Sequence, residues 1–195
     1  MKLNTKITLP ILLIFALLIL FAGCFPGLTP PEVGDSYGGG IVAYILQSGD
    51  PGYISGQTHG LIVTTANQNG GATITWSNIT DTLVGTTGTA LGTGQANTTA
   101  IVGQSGCKSG AAWLCNNLTE GGYSDWFLPS KDELNKLYLN QVAIGMFGGF
   151  VDTVYWCSSE VSANYAWYQD FGGGYQYNGP YGKNQKFLVR AVRAF

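Results

Sequence analysis

Two short apolar runs rich in β-branched residues, 40–46 and 61–65, predict a pair of strands. The polar stretch between them, 47–60, carries Gly49-Asp50-Pro51-Gly52 and reads as a loop. Residues 72–76 predict a third strand. From 77 to 94 the chain is rich in Thr, Gly and Asn without periodicity, which predicts irregular structure. Helical spacing returns at 97–102 and at 111–118, where Ala112, Cys115 and Leu118 share one face. The clearest helix is 131–140. Ser130 is suited to its N-cap, Glu133 completes a capping box, and Leu134, Leu137 and Tyr138 form its apolar stripe. Further strands are predicted at 154–158, 166–171 and 186–194, with Gly172-Gly173-Gly174 as a hairpin turn between the last two. No internal repeat is evident. The pattern is one of short strands, two or three short helices and long loops.

The first two dozen residues follow another logic. Lys2 and Lys6 precede an unbroken apolar run of twelve residues, 11–22, followed by Gly23 and Cys24. A spanning helix needs about 20 apolar residues, so the run reads as a secretory signal instead. Phe21-Ala22-Gly23-Cys24 resembles a bacterial lipobox, in which cleavage falls before the cysteine and that cysteine is acylated. The expected organisation is a signal peptide at 1–23, a proline-containing tether at 24–34, and one domain at 35–195. Lipidated Cys24 would anchor the domain in a bacterial cell envelope, on the outer membrane in a diderm, without a transmembrane helix.

Charge narrows the function classes. Without Lys2 and Lys6 the chain holds seven basic residues against eleven acidic ones, a net charge of −4. That excludes the basic patch nucleic-acid binding requires. Beyond Cys24, three cysteines remain: Cys107, Cys115 and Cys157. An odd number predicts one disulfide and one thiol, with Cys107–Cys115 the first choice and Cys115–Cys157 the alternative; spacing alone does not decide. With His59 the single histidine and no Cys-x-x-Cys, no metal site is expected.

Three blocks carry a family resemblance: Asp125-Trp126-Phe127-Leu128-Pro129-Ser130, Tyr155-Trp156-Cys157-Ser158-Ser159-Glu160, and the aromatic and arginine-bearing run 187–195. Together with Gly121-Gly122-Tyr123, Lys131-Asp132-Glu133-Leu134, Gly39-Gly40-Ile41-Val42 and His59-Gly60-Leu61-Ile62, they resemble the Lcl C-terminal domain family, named for the C-terminal domain of a Legionella collagen-like adhesin. The resemblance spans roughly 35–195. It implies an α+β fold related to C-type-lectin-like and formylglycine-generating-enzyme-like domains. It also implies binding of sulfated glycosaminoglycans and assembly as a homo-oligomer, a trimer. Two features depart from the family: Cys157 stands where Ser is usual, and the chain lacks a collagen-like stalk and has few basic residues.

Within the blocks, Trp126 and Trp156 are expected in the core. Arg190 and Arg193 lie three apart in a predicted strand and so face opposite ways, at least one of them pairing with a carboxylate such as Asp125 or Glu160. The candidate ligand residues lie instead in the stretch 165–183: Tyr165, Trp167, Tyr168, Asp170, Tyr175, Tyr177, Asn178, Tyr181 and Lys183. Flat rings beside amide and carboxylate groups are what a neutral carbohydrate site requires. The alternative is a glycine-rich hairpin whose rings cover the core or a subunit contact. The function expected is non-catalytic, adhesin-like recognition of a glycan or glycosaminoglycan-like polymer; the alternative is a structural envelope or assembly protein. An enzyme of the formylglycine-generating type needs a close pair of late cysteines, and Cys157 has no neighbour. No cofactor is expected. Calcium, common in lectin-like folds, finds neither an EF-hand spacing nor a Glu-Pro-Asn triplet here.

Overall fold

The computed structural model describes residues 29–195, except for the side chains of 146–148. The signal peptide and Cys24 lie outside the described residues. The architecture is mixed α+β, built on two small antiparallel sheets. The first has the order β1 (Ser36–Tyr37), β2 (Gly40–Ile45), β3 (Gly60–Val63) and β7 (Val192–Ala194). The second is β4 (Val154–Glu160), β5 (Ala166–Asp170) and β6 (Gln176–Tyr177). Four helices lie between β3 and β4 in the chain: α1 (Gly94–Val102), α2 (Ala111–Asn116), α3 (Lys131–Leu139) and α4 (Gln141–Gly148).

The inner strands β3 and β4 are buried on both faces, which is why they read as continuous apolar runs, whereas β1 and β6 are open to solvent. Along β3, Leu61 and Val63 enter one core cluster and Ile62 the other. Along β4, Tyr155 and Cys157 face the first cluster and Trp156 the second. This is the period-two alternation of a strand, with apolar partners on either side. Gly40 is required where β2 meets β3, because a side chain there would collide with the carbonyl of Val63.

The capping box of α3 forms as its residues dictate. The Ser130 hydroxyl accepts from Glu133 N–H at 3.3 Å, and the Glu133 carboxylate accepts from Ser130 N–H at 2.7 Å. Glu133 is buried and also accepts from Gly92 N–H at 2.8 Å, tying the turn before α1 to α3. Burial pushes its carboxyl above the usual range, against the pull of these backbone donors.

Several expectations need correction. Residues 72–76 are no strand, since they contribute only an isolated bridge from Ile74 to Phe187. The triple glycine turns β5 back onto β6, not onto the last strand, and β7 pairs with β3 in the other sheet. The run 186–194 is not one strand, because its backbone bonds change partner along its length. Phe187 pairs with Ile74, Leu188 with β4, and Val189 and Ala191 accept from Gln68 and Thr64; Val192, the first residue of β7, exchanges with Phe127. The sequence pattern predicts no helix at α4: the segment is apolar on nearly every position and carries two glycines, so no helical stripe stands out.

Candidate functional site

The second sheet fixes the candidate residues. β5 and β6 pair with Tyr168 opposite Tyr177. Their rings stack with centroids 5.4 Å apart, and Tyr181 lies 5.9 Å from Tyr168. Tyr175 continues the row 6.2 Å from Tyr177. Tyr168 itself is buried, and its hydroxyl donates to the carbonyl of Gly179 at 2.8 Å. It is therefore a pedestal, not a contact residue. Around it Tyr175, Tyr177 and Tyr181 stand 65%, 38% and 51% exposed. Ring-to-ring contact holds these exposed tyrosines in place.

Beside the tyrosines opens a polar cleft of about 370 Å³, lined by Thr80, Asp81, Asn164, Tyr165, Pro180, Gly182, Asn184 and Gln185. Its two walls come from distant parts of the chain and are joined by a buried ion pair. Lys183 Nζ lies 2.6 Å from Glu160 Oε1, both side chains nearly fully enclosed. Lys183 also donates to Thr82 O at 3.2 Å and lies over the Trp76 ring at 4.6 Å. The Glu160 carboxylate accepts from Val84 N–H and Gly85 N–H, each with a contact of 2.9 Å. The pair thus binds residues 82–85, the end of β4 and the loop at 182–185 into one unit.

The nine candidates therefore divide. Tyr165, Tyr175, Tyr177, Asn178 and Tyr181 are exposed on this face. Trp167 is half-buried against the first core cluster, with Lys131 Nζ 5.4 Å from its ring. Asp170 serves the glycine turn, accepting from Gly172 N–H at 2.9 Å. Tyr168 and Lys183 are corrected to internal supports, since neither reaches solvent. Thr80 and Asp81 escaped sequence reasoning altogether. They lie in the aperiodic segment, and the contacts of Lys183 with Glu160, Thr82 and Trp76 bring them near Asn164 and Asn184.

The remaining charged candidates are framework. Arg193 binds Asp125 through two bonds of 2.7 and 2.9 Å, and its guanidinium lies 3.8 Å from the Tyr123 ring. That cation holds the Asp125 carboxyl below its ordinary range. Glu160 takes Lys183 and not an arginine. Buried Arg190 donates to Thr64 O, Gly149 O and Asn67 Oδ1 at 2.8, 2.9 and 3.0 Å and covers Phe150. The expected Cys107–Cys115 disulfide is absent, because all three described cysteines are free. Cys115 faces the second core cluster from α2, whereas Cys107 lies 3.8 Å from the Ser77 hydroxyl. Cys157 enters the other cluster and donates to Trp167 O at 3.1 Å, so it does not pair with Cys115 either. Burial pushes the Cys157 thiol up to about 12, and raises Cys115 as well.

A second cleft, of about 340 Å³, has an apolar floor that includes Leu61, Leu91 and Phe127, with His59 and Asp125 at its rim. Among the described residues, no group of three or more His, Cys, Asp or Glu is placed to hold a metal ion.

Fold and surface together define a small mixed α+β domain that presents a preorganised tyrosine row beside a polar cleft. The family model of the Lcl C-terminal domain matches residues 55–193. The chain belongs to the Lcl C-terminal domain family. No curated protein matches the chain.

Proposed function

We propose that the domain is a non-catalytic glycan-binding module, held in the bacterial cell envelope by acylated Cys24 and adhesin-like in role. The observation that carries this reading is the exposed row of Tyr175, Tyr177 and Tyr181, fixed by ring contacts and bordered by amide groups of the polar cleft. Tyrosine rings stack on the apolar faces of sugars, and Asn and Gln side chains both donate to and accept from hydroxyls. Family membership supports the adhesin-like role and a fold of the C-type-lectin-like kind. The buried, protonated thiols of Cys115 and Cys157 give no support to a thiolate-based enzyme.

The favoured ligand is an uncharged polysaccharide, not a sulfated one. Lys183 is the single cation between 161 and 185, and it is enclosed with Glu160. A sulfated chain needs several exposed cations; among residues 161–195 the one exposed cation is Lys186, next to Gln185, and the cleft lining itself carries Asp81. Trimeric assembly, implied by the family, would multiply weak contacts along a repeating polymer.

The test is a glycan array probed with the mature chain, 24–195, carrying Cys24→Ser, beside its Tyr181→Ala and Tyr177→Ala variants. The expected result is binding of neutral glycans that either variant abolishes and that salt leaves unchanged. Binding of sulfated polymers that fades with salt would refute the neutral-ligand reading. No binding at all by a stable oligomer would favour the structural envelope role and defeat the glycan reading.

A further inference from the structure

Helix α4 and its flanks expose several aliphatic side chains. Residues 139–151 contain no charged side chain. Ile144 points inward and is fully buried in the first core cluster, so it docks the helix. Its neighbours face out: Val142 is 87% exposed and Leu139 65%, with Val151 at 50% beyond the helix. Isolated exposed aliphatics are ordinary, but three within thirteen uncharged residues mark a surface that meets something apolar.

The position of the chain's N-terminal side identifies the occupant. Gly34 packs on α4, and a side chain there would lie 2.9 Å from the carbonyl of Ala143. Thr29 shares a surface depression with Asp35 and with Ser36 and Tyr37 of β1, just after Gly34. Cys24 precedes Thr29 by five residues, at most about 18 Å of extended chain. An acyl group on Cys24 therefore holds the bilayer surface close to the side of the domain where α4 lies.

We propose that α4 is a membrane-contacting face: Leu139 and Val142 enter the interfacial layer of the lipid bilayer that holds the anchor. The proposal rests on acylation of Cys24 for its location, not for its chemistry. With no cation between 139 and 151, the attraction is apolar, so zwitterionic lipid suffices and added salt has no effect. The tyrosine row lies on the second sheet; its Tyr175 end follows the Gly172–Gly174 turn, which packs on Tyr138 and Asp152, and Tyr181 stands at the opposite end of the row.

The test uses the full mature chain with Cys24→Ser and Cys107→Ser and an N-terminal histidine tag. The tag binds it to phosphatidylcholine vesicles containing a nickel-chelating lipid. An environment-sensitive fluorophore is attached at Val142→Cys or, in a separate sample, at Tyr181→Cys. On vesicle binding, the label at 142 is expected to shift to the blue and brighten, and the label at 181 to stay unchanged. Adding Leu139→Asp to the labelled protein should cut the embedded population about tenfold, since one aliphatic side chain's transfer from water is worth about that factor. A water-like spectrum at 142 on bound protein, or equal shifts at both positions, would overturn the proposal. So would a blue shift at 142 without vesicles that tracks self-association, because a second copy would then cover α4. Mass spectrometry of the native chain tests the anchor separately: unmodified Cys24 would remove the acylation reading while leaving the vesicle result to stand or fall alone.

Discussion

Replacing Lys183 with Met removes the ammonium from the centre of the Glu160 cluster while keeping most of the side chain's volume. The carboxylate left behind is 3% exposed and retains only the N–H groups of Val84 and Gly85 and no cation at 2.6 Å. Breaking a buried pair by removing one partner costs about 3–5 kcal/mol, because an uncompensated charge stays enclosed. The two backbone donors stabilise the carboxylate, which places the expectation near the lower end, about 3 kcal/mol. For a domain of this size that corresponds to a fall in Tm of roughly 6–12 °C. The assay is denaturant and thermal unfolding of wild type, Lys183→Met, Glu160→Gln and the double variant. The double variant should be more stable than Lys183→Met, since no charge is left buried, giving a coupling of at least about 1 kcal/mol. Neutral-glycan binding should fall in Lys183→Met, because residues 82–85 and the loop at 182–185 lose their common tie. A single variant within about 0.5 kcal/mol of wild type would refute the assignment of the pair as the clamp on the cleft walls.

Three further outcomes follow from the geometry. Tyr168→Phe loses the 2.8 Å bond to Gly179 O and should cost about 1 kcal/mol in denaturant unfolding, with glycan binding weakened although residue 168 touches no solvent. The Glu133 carboxyl is raised above its ordinary 4.5, so the folded state holds its proton more tightly than the unfolded state. Its contribution to stability is full below that value and is lost as pH rises through the higher folded pKa; Glu133→Gln should remove this slope from a pH series of unfolding curves. A thiol reagent should modify Cys107 first in the native mature chain and reach Cys115 and Cys157 only on unfolding; two thiols missing from the denatured titration would refute the free-cysteine arrangement.

What the sequence displayed about the fold depended on how local each feature is. The α3 capping box needs only Ser130 and Glu133, and it was legible three residues apart. The strands at 40–46 and 61–65 were legible because their residues are buried on both faces. The route of 187–194 was not, since its partners lie in Ile74, β4, Thr64, Gln68, Phe127 and β3, which no local pattern encodes. The candidate face was half legible. Aromatic density marked the stretch 165–183, but composition does not distinguish an exposed ring such as Tyr175 from a buried one such as Tyr168. Lys183 reads as a surface cation for the same reason: its partner Glu160 is 23 residues away, and its other contacts are Thr82, in the aperiodic segment, and the Trp76 ring.

The changing partners of residues 187–194 also bear on the order of events when the chain folds. Until that segment arrives, Ile74, Phe127 and one edge each of β3 and β4 lack a backbone partner, and they come from both sheets. Closing such distant contacts requires most of the chain's loop entropy to be given up at once, which makes folding slow and late. A polypeptide that stays open until its final strand is available can be threaded through a narrow pore without first being pulled apart.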